Sequence, residues 1–199
     1  IVFGDWSSDV CSSDLYRGTR GKTLTAAIIG QRGLDDGLHI VGAHTDCPRL
    51  DAKPRPLYED SGMVLLDTHY YGGVKKYQWV AMPLALHGVV VRRDGTVVPV
   101  CIGERPEDPV FVITDLLPHL GKEQGAKPLS DAITGEGLNV LFGSIPVGKR
   151  DDDKAVKDKV KLNILRLLKA QYGIDEEDFA SAELEIVPAG PAREAGLDR

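Results

Sequence analysis

Cysteine is scarce in this chain: Cys11, Cys47 and Cys101 are the only three in 199 residues. They form neither a Cys-x-x-Cys pair nor an even framework, which argues against a disulfide scaffold and for a reducing compartment. Long hydrophobic runs are missing too, none approaching the ~18 residues of a membrane span. Basic residues are outnumbered, 24 against 30 acidic, for a net charge of −6. That balance argues against nucleic acid as a partner, whose binding footprint is basic. The opening residues lack a basic stretch followed by an apolar one, so no secretion signal is visible and the cytoplasm is the expected location. What is present is an ordinary globular composition, 42% hydrophobic and 27% charged, enough for one sizeable core. Gly 22 and Pro 12 imply many turns and hence many short strands.

The ends look cut. There is no initiator Met, and Trp6–Leu15 is crowded with Ser and Asp without a hydrophobic period. This stretch resembles the translated read-through of a DNA sequencing adapter, the plainer alternative being a polar loop. Residues 1–15 are therefore expected to be non-native. The last residues, Gly196-Leu-Asp-Arg199, follow a strand-like run without a capping element, as expected of a fragment of a longer protein.

Between the ends the pattern is mixed. Thr23–Ile29 reads as a short strand, and Leu38–Ala43 as a strand buried on both faces of an α/β sheet. Pro48, Pro54 and Pro56 forbid a central strand or a helix interior, so the chain is expected to leave the sheet there in an extended path. Met63–Thr68, Ala81–Arg92, Val97–Ile102 and Val110–Ile113 read as antiparallel strands, with Arg93-Asp-Gly-Thr96 as a hairpin turn. Thr114 is placed to cap a short helix through Leu120, with Gly121 as its stop. Leu138–Ser144 is a further strand. Asp153–Tyr172 is the clearest helix, its apolar face formed by Val156, Val160, Ile164, Leu167, Leu168 and Tyr172 and its end marked by Gly173. Asp175–Phe179 reads as a turn and Glu183–Val187 as an edge strand. The resulting fold class is α/β, with an inserted β-rich block.

One short constellation carries chemistry. His44-Thr-Asp46 follows the run expected to be a buried strand, and ligands of open α/β sheets collect beyond the carboxyl ends of strands. Imidazole is a good zinc ligand, and a nearby carboxylate can orient it and raise its basicity. The triplet alone is weak, because a His held by a neighbouring Asp in a loop explains it as well. No second ligand is identifiable by spacing, and there is no His-Glu-x-x-His motif. His39, His69 and His87 read as structural. Gly72-Gly73-Val-Lys-Lys76 lacks the Gly-x-x-x-x-Gly-Lys frame of a phosphate loop, which excludes nucleotide binding there. Glu176-Glu-Asp178 reads as a solvated turn, and Asp51 and Lys53 as an exposed pair that stabilises little.

Longer segments add a resemblance. Gly42-Ala-His-Thr-Asp-Cys-Pro-Arg-Leu-Asp-Ala-Lys-Pro54, Pro56-Leu-Tyr-Glu-Asp60, Thr68-His-Tyr-Tyr-Gly-Gly-Val-Lys-Lys-Tyr-Gln-Trp79 and Ile113-Thr-Asp-Leu-Leu-Pro-His-Leu120 are similar to the aspartyl aminopeptidase family of zinc metallopeptidases, in its bacterial aminopeptidase 1 branch. The resemblance runs from about Tyr16 to Arg199. It implies an α/β catalytic domain with an inserted β-rich dimerisation domain: residues 16–50 open the catalytic domain, 51–182 form the insert, and 183–199 return to the catalytic domain. It implies His44 as a ligand of one of two zinc ions, with Co or Mn as substitutes, and Asp46 as the catalytic-site carboxylate supporting it. The family has Ser where this chain has Cys47. A histidine of the inserted domain reaches the partner subunit's active site in that family, and the Pro-His-Leu segment places it at His119, in a substrate-binding role. A local structural histidine explains that residue equally well. The implied partners are peptide substrates and a second copy, as a homodimer or the dodecamers of relatives.

The implied chemistry is removal of N-terminal residues by water activated between two metals, with a glutamate moving the proton. The family's bridging Asp, catalytic Glu, adjacent metal-binding Glu and later Asp and His ligands have no counterpart in these 199 residues. The fragment is therefore expected to be inactive. The alternative is a non-catalytic β-rich interaction module.

Overall fold

A computed structural model describes residues 7–8, 14–19, 21–148 and 157–197. It divides into two compact units, Ile1–Thr45 and Asp46–Arg199. The first carries a three-stranded antiparallel sheet of β1 (Ser7–Ser8), β2 (Asp14–Thr19) and β3 (Thr23–Ile28), joined in that order. β3 is the expected strand. Of the segment 1–15, residues 1–6 and 9–13 lie outside the described residues. One expectation fails here. Leu38–Ala43 is not a strand, and its apolar side chains are open to solvent, Ile40 at 84% and Val41 at 96%. A buried strand needs a neighbour on each side to satisfy its backbone, and no described strand pairs with residues 38–43.

The second unit is built on a seven-stranded antiparallel sheet. Its strands are β4 (Arg49–Asp60), β5 (Met63–Tyr71), β6 (Leu84–Val91), β7 (Val97–Ile102), β8 (Val112–Ile113), β9 (Val140–Gly143) and β10 (Ala182–Pro188), in the order β7-β6-β10-β4-β5-β9-β8. Among the described residues four α-helices accompany it: α1 (Lys76–Trp79), α2 (Lys122–Gly125), α3 (Leu129–Ala132) and the long α4 (Lys159–Tyr172). The antiparallel block between Met63 and Ile113 is as expected, but the prolines did not keep the chain out of the sheet. β4 is central, between β10 and β5. Its pairing with β5 shifts register between Ala52 and Leu57, and its pairing with β10 is confined to Leu50 and Asp51. Pro54 and Pro56 fall inside that irregular stretch, where Arg55 turns to φ 53°, so they remove no ladder hydrogen bond.

Two tight turns set the register. Ser61 and Gly62, at φ 51° and 75°, close the β4–β5 hairpin with both central residues in the left-handed region, as a two-residue primed turn requires. Arg93–Thr96 closes β6–β7 as expected. The Arg92 amide donates to the Thr96 carbonyl at 2.9 Å, and the Thr96 amide donates to Asp94 Oδ1 at 2.9 Å. β10, expected at an edge, is third in the sheet and pairs along its length with β6. Gly88 allows that approach: it sits at φ 140°, and a Cβ there would collide with the Glu183 carbonyl.

On β5 the buried residues Val64, Leu66 and Thr68 recur every second position, the strand period. Val64 and Leu66 join Leu50, Leu86 and Ile186 in one core, and Thr68 is buried as a polar residue. Thr68 is satisfied inside it: its hydroxyl donates to the Leu138 carbonyl at 2.8 Å and its amide to Asn139 Oδ1 at 3.1 Å. Helix α4 packs on β4, β5 and β9. Val160 and Leu168 are buried and Ile164 is partly so, at four-residue steps. Leu167, expected on that face, is 47% exposed, and Leu165 packs against the core instead. Val156 and the acidic run 151–153 lie outside the described residues. Gly173 ends α4 at φ 66°, with its amide donating to the Lys169 carbonyl at 3.0 Å.

The expected helix from Thr114 to Leu120 is absent. That stretch ends in a turn, with Leu120 and Gly121 both donating to the Leu117 carbonyl, and Gly121 precedes α2 instead of stopping a helix. Pro118 inside the run explains this, because a proline disfavours helix at the residue before it. The 176–178 turn is not wholly solvated: Asp178 is 7% exposed and closes a reciprocal capping box with Asp175. Among the described residues no helix is long and apolar enough to cross a membrane.

Candidate metal-binding segment and the Asp46 network

His44 lies at the end of the first unit, in residues 37–48 that carry no regular structure, and is exposed. Asp46 opens the second unit and is also exposed. Sheet pairing gives Asp46 its surroundings. β4 begins at Arg49, directly opposite Tyr71, the last residue of β5. The Tyr71 hydroxyl reaches back to donate to Asp46 Oδ2 at 2.8 Å. The carboxylate beside it holds the Tyr71 hydroxyl above the usual tyrosine range, so it stays a donor at neutral pH. The Arg49 guanidinium lies over the Tyr71 ring, 4.2 Å from its centroid. Arg49 Nε is held in turn by Asp51 at 2.8 Å and by Glu185 of β10 at 3.2 Å. The order running from β10 to Asp46 is therefore Glu185, Arg49, Tyr71, Asp46.

The other charged groups pair elsewhere. Lys53 binds Asp67 at 3.0 Å and Glu136 at 3.2 Å, not Asp51. His87 Nε2 lies 2.7 Å from Glu104 Oε1, a structural contact between neighbours on β6 and the loop after β7. His69 stacks on Tyr70 at 5.6 Å. His39 is exposed, not packed in a core. His119 is exposed in the turn before α2. A cleft of about 400 Å³ opens nearby, lined by Val80, Asp115, Leu116, Gln124, Ile133 and Thr134. Cys47 and Cys101 are exposed cysteines.

The donor chemistry decides what this segment can hold. Zinc takes three or four protein ligands from His, Cys, Asp and Glu. Among the described residues no group of three or more such side chains could hold a metal ion. His44 is a donor of the right kind, but the residues present do not amount to a zinc site. Sequence reasoning reached His44, Asp46 and His119. It did not reach Arg49, Tyr71 or Glu185, whose meeting depends on strand register; the one signal was Tyr71 inside the Thr-His-Tyr-Tyr-Gly-Gly motif.

Comparison with known proteins defines the class first. The family model described as "Aminopeptidase I zinc metalloprotease (M18)" matches residues 4–199. The chain belongs to the M18 family of aminopeptidases and carries its mixed α/β fold. Among individual relatives, the "Probable M18 family aminopeptidase 1" of Clostridium acetobutylicum is 56% identical over 185 residues, covering 93% of this chain and 39% of that protein. The protein of the same description from Thermotoga maritima is 47% identical over 202 residues, covering 100% and 42%. The crystal structure of the Thermotoga maritima M18 aminopeptidase superposes with a TM-score of 0.83 at 48% identity, over 92% of this chain and 39% of that one. The Saccharomyces cerevisiae mApe1 dodecamer, 16% identical over 94% of this chain and 39% of that one, has a TM-score of 0.59 and shares the fold alone. The chain thus spans about two fifths of the length of the relatives it matches.

Proposed function

We propose that the complete protein is a metal-dependent aminopeptidase that removes N-terminal residues from peptides. The observation that carries this reading is the family match over residues 4–199. The finer reading is a dinuclear zinc centre, with Co or Mn as substitutes, whose chemistry when bound would be a water of lowered pKa and polarisation of the scissile carbonyl. His44 would contribute one imidazole to it, and Asp46 the carboxylate that fixes that imidazole's tautomer and direction. His119 would meet substrate in a partner subunit's site. The protein would work as a homodimer or a dodecamer, in the cytoplasm, where exposed thiols such as Cys47 and Cys101 stay reduced.

Among the described residues too few donors come together for that centre, so the 199 residues are expected to be inactive by themselves. The test uses both lengths. The full-length protein is expected to bind zinc and hydrolyse aminoacyl substrates, and the 199-residue chain to do neither. His44→Ala in the full-length protein is expected to lose bound zinc and activity together. Metal-dependent turnover by the 199-residue chain overturns the inactivity, and unchanged zinc content in His44→Ala removes His44 from the ligands.

A further inference from the structure

Among the described residues, the sheet of the second unit leaves one long edge open. At its β8 end the chain comes back to β6: the Leu84 amide donates to the Phe111 carbonyl and the Phe111 amide to the Leu84 carbonyl, both at 2.8 Å. Phe111 also stacks on Phe142 of β9, with ring centroids 5.0 Å apart. β8 itself has two residues, too short to template another strand. β7 is different. It runs six residues, Val97–Ile102, lies outermost beside β6, and no described strand pairs with its other side. Its sequence, Val-Val-Pro-Val-Cys-Ile, carries no charge, and Val97 is 58% exposed. An uncharged edge rich in β-branched residues is the kind that recruits another strand.

The register of the hairpin fixes which way each amide points. The Arg92 amide donates to the Thr96 carbonyl, and bonded and non-bonded pairs alternate along an antiparallel ladder. Val90–Val98 and Gly88–Val100 are therefore bonded pairs, while Val91–Val97, Val89–Pro99 and His87–Cys101 are not. Residues 97, 99 and 101 turn their backbone groups outward. Pro99 stands in the middle of that outward row and has no N–H to offer. Inside the sheet it costs no ladder bond. On the open side it removes the central donor and sets its ring against the carbonyl that an added strand would bring there.

We infer that the outer edge of β7 is a pairing surface for the β7 of a second copy of this chain, and that Pro99 holds it shut. Identical strands pair antiparallel about a two-fold axis. Centred on residue 99, such a pairing sets Val97 of one copy opposite Cys101 of the other, with backbone groups directed at each other. Residue 99 would have to donate in both copies, so one proline removes two bonds from the middle of the contact. Pro99 is exposed, so the block draws nothing from the core. The homodimer or dodecamer proposed above then forms through other surfaces.

The experiment compares full-length wild type and variants by sedimentation velocity, with thermal midpoints alongside. Pro99→Val restores the outward amide and continues the β-branched run. It is expected to at least double the weight-average mass relative to wild type at equal concentration, with a thermal midpoint no lower than wild type's. Adding Val97→Lys sets a charge on the same edge, a guard of another kind, and is expected to return the mass to the wild-type value. Pro106→Val, in the turn after β7, removes a proline without touching the edge and is expected to match wild type in mass. The inference is overturned if Pro99→Val keeps the wild-type mass, if Val97→Lys does not reverse the gain, or if Pro106→Val gains mass equally. A Pro99→Val protein that aggregates with a lowered midpoint has lost its fold instead of pairing its edge, and that outcome overturns the inference as well.

Discussion

The two units of this chain use similar apolar residues to opposite effect. In the first, Leu24, Ile28, Leu38, Ile40 and Val41 all lie exposed, at 68% or more. In the second, Leu50, Leu66, Leu84 and Ile186 are at 0%. Composition does not separate them, since Leu38–Ala43 is as apolar as the buried strand Leu84–Val91. Partners do. β6 has β7 on one side and β10 on the other, whereas no described strand pairs with residues 38–43. The hydrophobic effect acts on area removed from water, about 25 cal/mol per Å², so an apolar side chain that nothing covers contributes little to folding.

That contrast can be broken or sharpened by substitution in the 199-residue chain, with stability read from guanidinium unfolding. Leu66→Ala empties part of the second unit's core and is expected to destabilise it by about 2 to 5 kcal/mol. Gly173→Ala is expected to cost about 1 kcal/mol or somewhat more. It places a Cβ at φ 66° and against the Arg92 guanidinium, which donates to the Tyr172 carbonyl at 2.5 Å. Asp94→Ala removes the acceptor of the Thr96 amide and has an effect that depends on pH. The Thr96 amide holds the Asp94 carboxyl below the usual carboxylate range. A depressed carboxylate stabilises the fold at pH above its unfolded value and loses that contribution as pH falls through the folded one. Wild type and Asp94→Ala are therefore expected to converge in stability below about pH 4 and to differ above it. Val41→Ser is expected to change stability by less than about 0.5 kcal/mol, because the side chain is already in water. A cost near that of Leu66→Ala would show that the first unit's apolar run is covered in solution.

Much of the second unit was legible because its signals are local. The alternation of Val64, Leu66 and Thr68, the Asp-Gly turn at 94–95 and the four-residue steps of α4 ending at Gly173 each depend on a few neighbouring residues. The Pro48–Pro56 stretch misled because proline forbids a ladder hydrogen bond only where one would be made, and the register shift between Ala52 and Leu57 makes none there. Glu183–Val187 reads as an edge because polar and apolar residues alternate along it; in the sheet its polar Glu185 is drawn to Arg49 of the adjacent strand. At the candidate site, His44 and Asp46 were visible as a short motif, while Arg49 and Glu185 were not, being 136 residues apart and joined only by pairing.

Sequence by itself determined the periods, the turns and the helix stop, and its longer motifs determined the family. These follow from torsional preferences and side-chain polarity that each residue carries wherever it stands. Tertiary structure alone decided which apolar runs are buried, where the prolines are tolerated and which side chains hold Asp46, because each of those depends on what a distant strand places alongside.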